Sequence, residues 1–119
     1  MGDPVVHFEI LGTDGAKLQD FYRRLFNWQI DVMPEFGYGM TRAGGDKGIG
    51  GGVGTAEKSL VTVYIEVDDI QGKLDEVVKA GATIEMPVTE MPGVVTFAQF
   101  VDPAGNVVGL VSSRAPGQG

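Results

Sequence analysis

Residues 64–67 read "YIEV" and residues 7–10 read "HFEI", the same pattern 57 positions apart. Each belongs to a longer strand-like run, "LVTVYIEV" at 60–67 and "VVHFEI" at 5–10. Successive side chains of a strand point to opposite faces. Val6, Phe8 and Ile10 therefore share one face, and His7 and Glu9 share the other. In the second run Val61, Val63, Ile65 and Val67 stand against Thr62, Tyr64 and Glu66. One face of each run is apolar and needs a packing partner. The other carries imidazole, carboxylate and phenol groups, which suit a wet cavity better than a core.

The segment after each run repeats as well. A short polar turn leads into a helical pattern. Leu18, Phe21, Tyr22 and Leu25 fall at i, i+3, i+4 and i+7, with Phe21 and Tyr22 read as core. Leu74, Val77 and Val78 mark the second helix, with Gly81 just past its end. Asp14 and Asp69 precede the helices as N-caps. Strand material comes next: Gln29–Met33, Phe36–Thr41 and Gly48–Gly54, then Thr83–Met86, Val95–Val101 and Asn106–Ser112. The chain thus reads β-α-β-β-β twice. This predicts an α+β fold in one domain spanning 1–119, with module 1 at about 5–54 and module 2 at about 60–113. Two βαβββ modules with helices on the outer face would form a curved mixed-sheet cup. Thr55–Ser59 is the connector, and 115–119 is expected to fray.

The bulk properties limit the partners. Net charge is −7, which opposes nucleic acid and anionic membrane surfaces and is compatible with a neutral or cationic ligand. There is no cysteine, so disulfides, thiolate metal sites and thiol nucleophiles are excluded. No apolar run is long enough to span a membrane. Met1 is not followed by a basic and then apolar leader, so the expected location is cytoplasmic. "GGDKGIGGGVG", 44–54, lacks the Gly-Lys-Ser/Thr ending of a phosphate loop and is read as a loop running into a weak strand.

"FVDPAGNVVGLV", 100–111, is a hairpin signal. Asp102, Pro103 and Gly105 hold the first, second and fourth positions of a type I turn. The strand that leaves this turn has Gly109 in its middle, where glycine weakens a strand. Two readings are open: Gly109 makes space for an organic ligand, or it allows a close backbone approach or bulge.

The duplicated unit, "FYRRLFNW" at 21–28 and "FVDPAGNVVGLV" together resemble the vicinal oxygen chelate superfamily over about residues 5–113. That superfamily includes glyoxalase I, extradiol dioxygenases, and fosfomycin- and bleomycin-resistance proteins. Asn27 stands where the family more often has Gly. The resemblance implies metal ligands, usually His or Glu, on the first and last strands of each module. Carried over, these positions are His7, Tyr64, Gly109 and a residue within Gly50–Gly52. Only His7 is a ligand of the usual kind, so no tightly held metal and no cofactor is expected. Glu9 and Glu66 share the polar face, two residues from the family positions.

The candidate ligand-binding residues are His7, Glu9, Trp28, Tyr38, Tyr64, Glu66, Phe97, Gln99 and Gly109, with Phe36 and Met40 expected in the same lining. His7, Glu9 and Glu66 are the candidates for acid–base work. His7 is the one side chain whose ordinary titration lies near neutrality. The resemblance implies a glyoxalase- or bleomycin-resistance-like protein that binds a small organic molecule in the cup, as a homodimer. The alternatives are a metal-dependent glyoxalase-like lyase or dioxygenase, a metal-free enzyme of the same superfamily, or an accessory domain without a ligand. Whether the chain is an enzyme stays open at this level.

Overall fold

The structure is a computed structural model that describes residues 2–42 and 45–114. The expected fraying of 115–119 and the start of the glycine-rich loop at 44 lie outside the described residues. The chain divides into two compact units. Val6–Thr62 forms one, and the rest of the described chain forms the other.

The first unit contains β1 (Val5–Gly12), α1 (Gly15–Phe26), β2 (Ile30–Met33), β3 (Tyr38–Thr41) and β4 (Gly50–Thr55), with a short 3₁₀ turn at Gly45–Lys47. Its strands lie in the order β2-β3-β4-β1. β1 and β4 are parallel, and the other neighbours are antiparallel. The second unit contains β5 (Leu60–Val67), α2 (Ile70–Lys79), β6 (Thr83–Met91), β7 (Val95–Val101) and β8 (Val107–Ser112). Its order is β5-β8-β7-β6, with β5 and β8 parallel and the others antiparallel. A parallel pair cannot be joined by a tight turn. In each unit the helix and two strands make the crossover between the first strand and the last. The order is β-α-β-β-β both times, an α+β fold.

Local chemistry starts and stops the helices. The Asp14 carboxylate accepts from the Lys17 N–H at 3.1 Å, and the Asp69 carboxylate accepts from the Gly72 N–H at 3.0 Å. α1 ends at Asn27, which takes a left-handed conformation with φ 57° while its N–H donates to Arg23 O. Asparagine tolerates that region better than most residues, so it serves where Gly is commoner. The rest of "FYRRLFNW" also has visible work. The rings of Tyr22 and Trp28 stack 5.0 Å apart, and Arg23 Nη2 donates to Ile30 O at 2.7 Å. Both contacts fix the start of β2 against the helix.

The inward face of α1 differs from the expected one. Phe21 and Leu25 are largely exposed, at 42% and 59%. The buried positions are Gly15 and Gln19. Gln19 Nε2 donates to Val53 O at 2.7 Å and to Gly37 O at 3.2 Å. A buried amide is tolerated because backbone carbonyls receive its protons. Gly15, Gln19 and Tyr22 lie on one helical stripe, offset from the one read through Phe21 and Leu25.

The second unit holds a more ordinary core of Val67, Ile70, Leu74, Ala82, Ala98, Phe100 and Leu110, with Ile65, Val77, Val88 and Val108 packed against it. β5 presents Ile65 and Val67 to this core, whereas Val61 and Val63 are 72% and 38% exposed. The apolar stripe of β5 is thus buried only toward its C-terminal end. An eight-residue strand is about 26 Å long and a ten-residue helix only about 15 Å.

Candidate functional site

β1 sends Phe8 to the α1 side, where its ring meets Trp28 at 5.5 Å. His7 and Glu9 therefore occupy the opposite face. Tyr38, at the start of β3, reaches that same face. It follows the Met33–Gly37 turn, in which Gly37 has φ 62° and its N–H donates to Met33 O. The Tyr38 ring lies over Gly52, where any added Cβ would fall inside it. The glycines of β4 are thus spacers for rings: Gly51 makes room for Phe8 on one face, and Gly52 for Tyr38 on the other.

The placement closes a hydrogen-bonded chain. The Tyr38 hydroxyl donates to Glu9 Oε2 at 2.8 Å and lies 2.8 Å from His7 Nε2. The imidazole and phenol rings are nearly parallel, 6.3 Å apart. A phenol has a single proton, and here Glu9 accepts it. His7 Nε2 must then carry a hydrogen and donate to Tyr38 Oη, which fixes the imidazole tautomer. Burial lowers the His7 pKa from its ordinary value, so the neutral imidazole is favoured. Glu9 is 8% exposed.

The second unit builds a different polar row. Tyr64 on β5, Gly109 on β8 and Gln99 on β7 are register partners across three strands. Gln99 Nε2 donates to Tyr64 Oη at 2.8 Å, and the Tyr64 ring meets Phe97 edge-on at 6.4 Å. Tyr64 and Gln99 are 6% and 7% exposed. A Cβ on Gly109 would fall inside the Tyr64 ring. The missing side chain of Gly109 thus makes room for Tyr64. Of the two readings left open for Gly109, ligand space and close approach, this contact gives the second a partner.

The predicted site residues therefore sort into groups. His7, Glu9 and Tyr38 come together in the first unit; Tyr64, Phe97, Gln99 and Gly109 come together in the second. Glu66 is half-buried, one strand alternation beyond Tyr64 and opposite Val111. Met40 shares the face of Tyr38 and is register partner of Gly52. Phe36 sits in an exposed turn. Trp28 joins neither group. It packs with Phe8, Tyr22 and Phe26 on the helix side, away from the face of His7 and Glu9. An aromatic just past a helix end gives no sign in sequence of which sheet face it will cover. Sequence reasoning also missed the Tyr38 bridge, because β3 is far from β1 along the chain.

The residues do not fit a divalent metal of the usual kind. Register pairs His7 with Gly50 as it pairs Tyr64 with Gly109. Two of the four family positions thus have no donor atom, and a third is a phenol hydrogen-bonded to Gln99. The fourth, His7, shares Nε2 with Tyr38. Among the described residues, no group of three or more His, Asp or Glu side chains is placed to hold an ion.

Solved structures share the fold at low identity. One is a glyoxalase/bleomycin resistance protein/dioxygenase superfamily member from Vibrio splendidus, at 17% identity and TM-score 0.67, covering 94% of this chain and 100% of that one. A Mn(II)-bound glyoxalase from Novosphingobium aromaticivorans matches at 16% identity and TM-score 0.66, covering 95% of this chain but 40% of its own. Methylmalonyl-CoA epimerase from Mycobacterium tuberculosis matches at 10% identity and TM-score 0.64, covering 92% and 87%. No curated protein matches the sequence. No helix among the described residues is long and apolar enough to cross a membrane. With two β-α-β-β-β units and a family profile matching residues 5–110, the chain belongs to the Glyoxalase/Bleomycin resistance protein/Dioxygenase superfamily.

Proposed function

We propose that this protein binds a small organic molecule on the sheet face of His7, Glu9 and Tyr38, without a tightly held metal. One observation carries the reading: Nε2 of His7, the family-position donor, is engaged by the Tyr38 hydroxyl at 2.8 Å, and that hydroxyl is itself held by Glu9. The lack of a donor at Gly50 and Gly109 supports it. A hydrogen-bonding face beside the Tyr38 ring, with few polar groups, suits small-molecule recognition. The same chain of groups could pass a proton, and this favours a metal-free enzyme as the second reading over a metal-dependent lyase or dioxygenase. A homodimer located in the cytoplasm completes the proposal.

The test is elemental analysis of protein purified without chelator, joined to calorimetric titration with metal-free bleomycin as a probe. The expected result is far less than one Zn, Ni, Fe or Mn per chain, with saturable heat from the probe. About one metal per chain that is lost in His7→Ala would overturn the reading and favour a metalloenzyme.

A further inference from the structure

We infer that the exposed apolar face of α1 is the surface on which a second copy of this chain docks, with the two α1 helices antiparallel about a two-fold axis near Tyr22. This rests on the homodimer named in the proposal above and assigns the surface that forms it.

Single exposed apolar residues are ordinary on a protein surface, but a joined set is not. On α1 the set is joined. The Phe21 ring meets Tyr22 edge-on at 5.1 Å, Tyr22 stacks on Phe26 at 5.9 Å, and Phe26 lies 6.1 Å from Trp28. Leu25 follows Phe21 by four residues and so lies beside it on the helix surface. Tyr22 and Trp28 are half-buried, whereas Phe21, Leu25 and Phe26 are exposed, Phe26 at 58%. The buried positions of α1 are Gly15 and Gln19, so Phe21 and Leu25 add little to the packing of the unit itself. The three exposed side chains leave roughly 300 Å² of apolar surface in water. A standard interface buries about 800 Å² per partner, with an aromatic centre and a polar rim. The face of α1 has the composition of such a centre.

The polar residues beside this face fit a second copy. At about 3.6 residues per turn, Lys17, Asp20 and Arg24 lie along one flank of the Phe21–Leu25 stripe. Asp20 and Arg24 form an ion pair at 3.2 Å. Arg23 is turned elsewhere, with its guanidinium on Ile30 O. When a two-fold axis relates two antiparallel helices, the same flank of each meets the same flank of the other. Facing residues then have numbers of constant sum. An axis at residue 22 sets Asp20 opposite the partner's Arg24, and Arg24 opposite the partner's Asp20. The two ion pairs join in a cluster of four charges of alternating sign. The same axis carries Lys17 to the C-terminal end of the partner's helix, where the helix dipole attracts a cation. A chain of net charge −7 repels its copies at long range. α1 does not share that excess, with Lys17, Arg23 and Arg24 against Asp20 alone, so pairing is least opposed there.

The experiment measures self-association of the full chain by analytical ultracentrifugation and light scattering over about 1–300 μM, the range of a modest interface. The native protein is expected to be dimeric at the upper end. Leu25→Lys places a charge at the apolar centre and should weaken pairing by about tenfold or more. Asp20→Arg and Arg24→Asp each set like charges face to face, and each should weaken it by about tenfold. Mixed in equal amounts, these two variants should form a heterodimer of nearly native affinity, because every flank charge then faces its opposite. All three positions are exposed, so circular dichroism should show native folding. If Leu25→Lys does not fold, the two charge variants and their mixture decide.

A monomer throughout this range would overturn the inference and the homodimer with it, and would leave small-molecule binding untouched. A dimer that Leu25→Lys and the charge variants leave unchanged, or a mixture that associates no more tightly than its parts, would mean that copies pair on another face. That result overturns the inference and keeps the homodimer.

Discussion

Replacing Gly109 with alanine adds a single methyl group, and its effect can be worked through from the structure. The new Cβ would lie less than 3.0 Å from Cγ, Cδ2 and Cε2 of Tyr64. Ordinary contact needs about 3.4 Å or more, so the ring must move. Tyr64 is 6% exposed, its hydroxyl accepts from Gln99, and its edge meets Phe97. Overpacking at such a site costs about 1–3 kcal/mol. Loss of the buried Gln99–Tyr64 hydrogen bond adds about 1 kcal/mol. Alanine restricts the unfolded chain more than glycine does, which offsets about 0.4–1 kcal/mol. The net destabilisation should be about 2 kcal/mol. In urea unfolding that is a midpoint lowered by about 1 M, for a typical slope. The decisive control is a double-mutant cycle with Tyr64→Ala. Removing the ring opens the space, so Gly109→Ala in that background should cost almost nothing, giving a coupling of about 2 kcal/mol. A single-mutant effect below about 0.5 kcal/mol, or the same cost with and without the Tyr64 ring, would refute the packing explanation of Gly109.

Three other outcomes are expected. Thr41 Oγ1 is buried with no hydrogen-bond partner among the described residues, and such a group costs about 1–3 kcal/mol, so Thr41→Val should leave stability unchanged or raise it by about 1 kcal/mol in thermal or urea unfolding. Leu74 is 1% exposed in the α2 core, so Leu74→Ala should cost about 2–5 kcal/mol, and a loss under about 1 kcal/mol would mean the core is misassigned. Burial lowers the His7 pKa in the folded state, so between that value and the ordinary one near 6.5 the unfolded chain binds more protons. The His7 contribution to stability is then complete above about pH 6.5 and is lost as pH falls through the folded-state pKa. Stability measured against pH should show this slope in the native protein and a weaker one in His7→Gln; equal slopes would contradict it.

The alternation in "HFEI" and "YIEV" and the helical spacing after each were enough to read two β-α-β-β-β units and the polar face of β1. These are local patterns, and a residue's face follows from its position in a strand of period two. The N-caps at Asp14 and Asp69 were legible for the same reason, since each carboxylate acts within three residues of itself. The meaning of the glycines was not. Gly109 and Gly52 read alike as weak points of a strand, but each faces a tyrosine ring brought from another strand, and no local rule specifies that ring. Gln19 was hidden similarly: a polar residue in a helix is read as exposed until Val53 and Gly37 present carbonyls to it. Trp28 went to the helix side because Tyr22 and Phe8 offered it rings there. Above all, His7 and Glu9 are two residues apart in sequence, but Tyr38, which joins them, comes from β3. Strand periodicity limits which groups can share a face; only strand pairing decides which of them are 2.8 Å apart, because hydrogen bonds depend on distances that the fold alone creates.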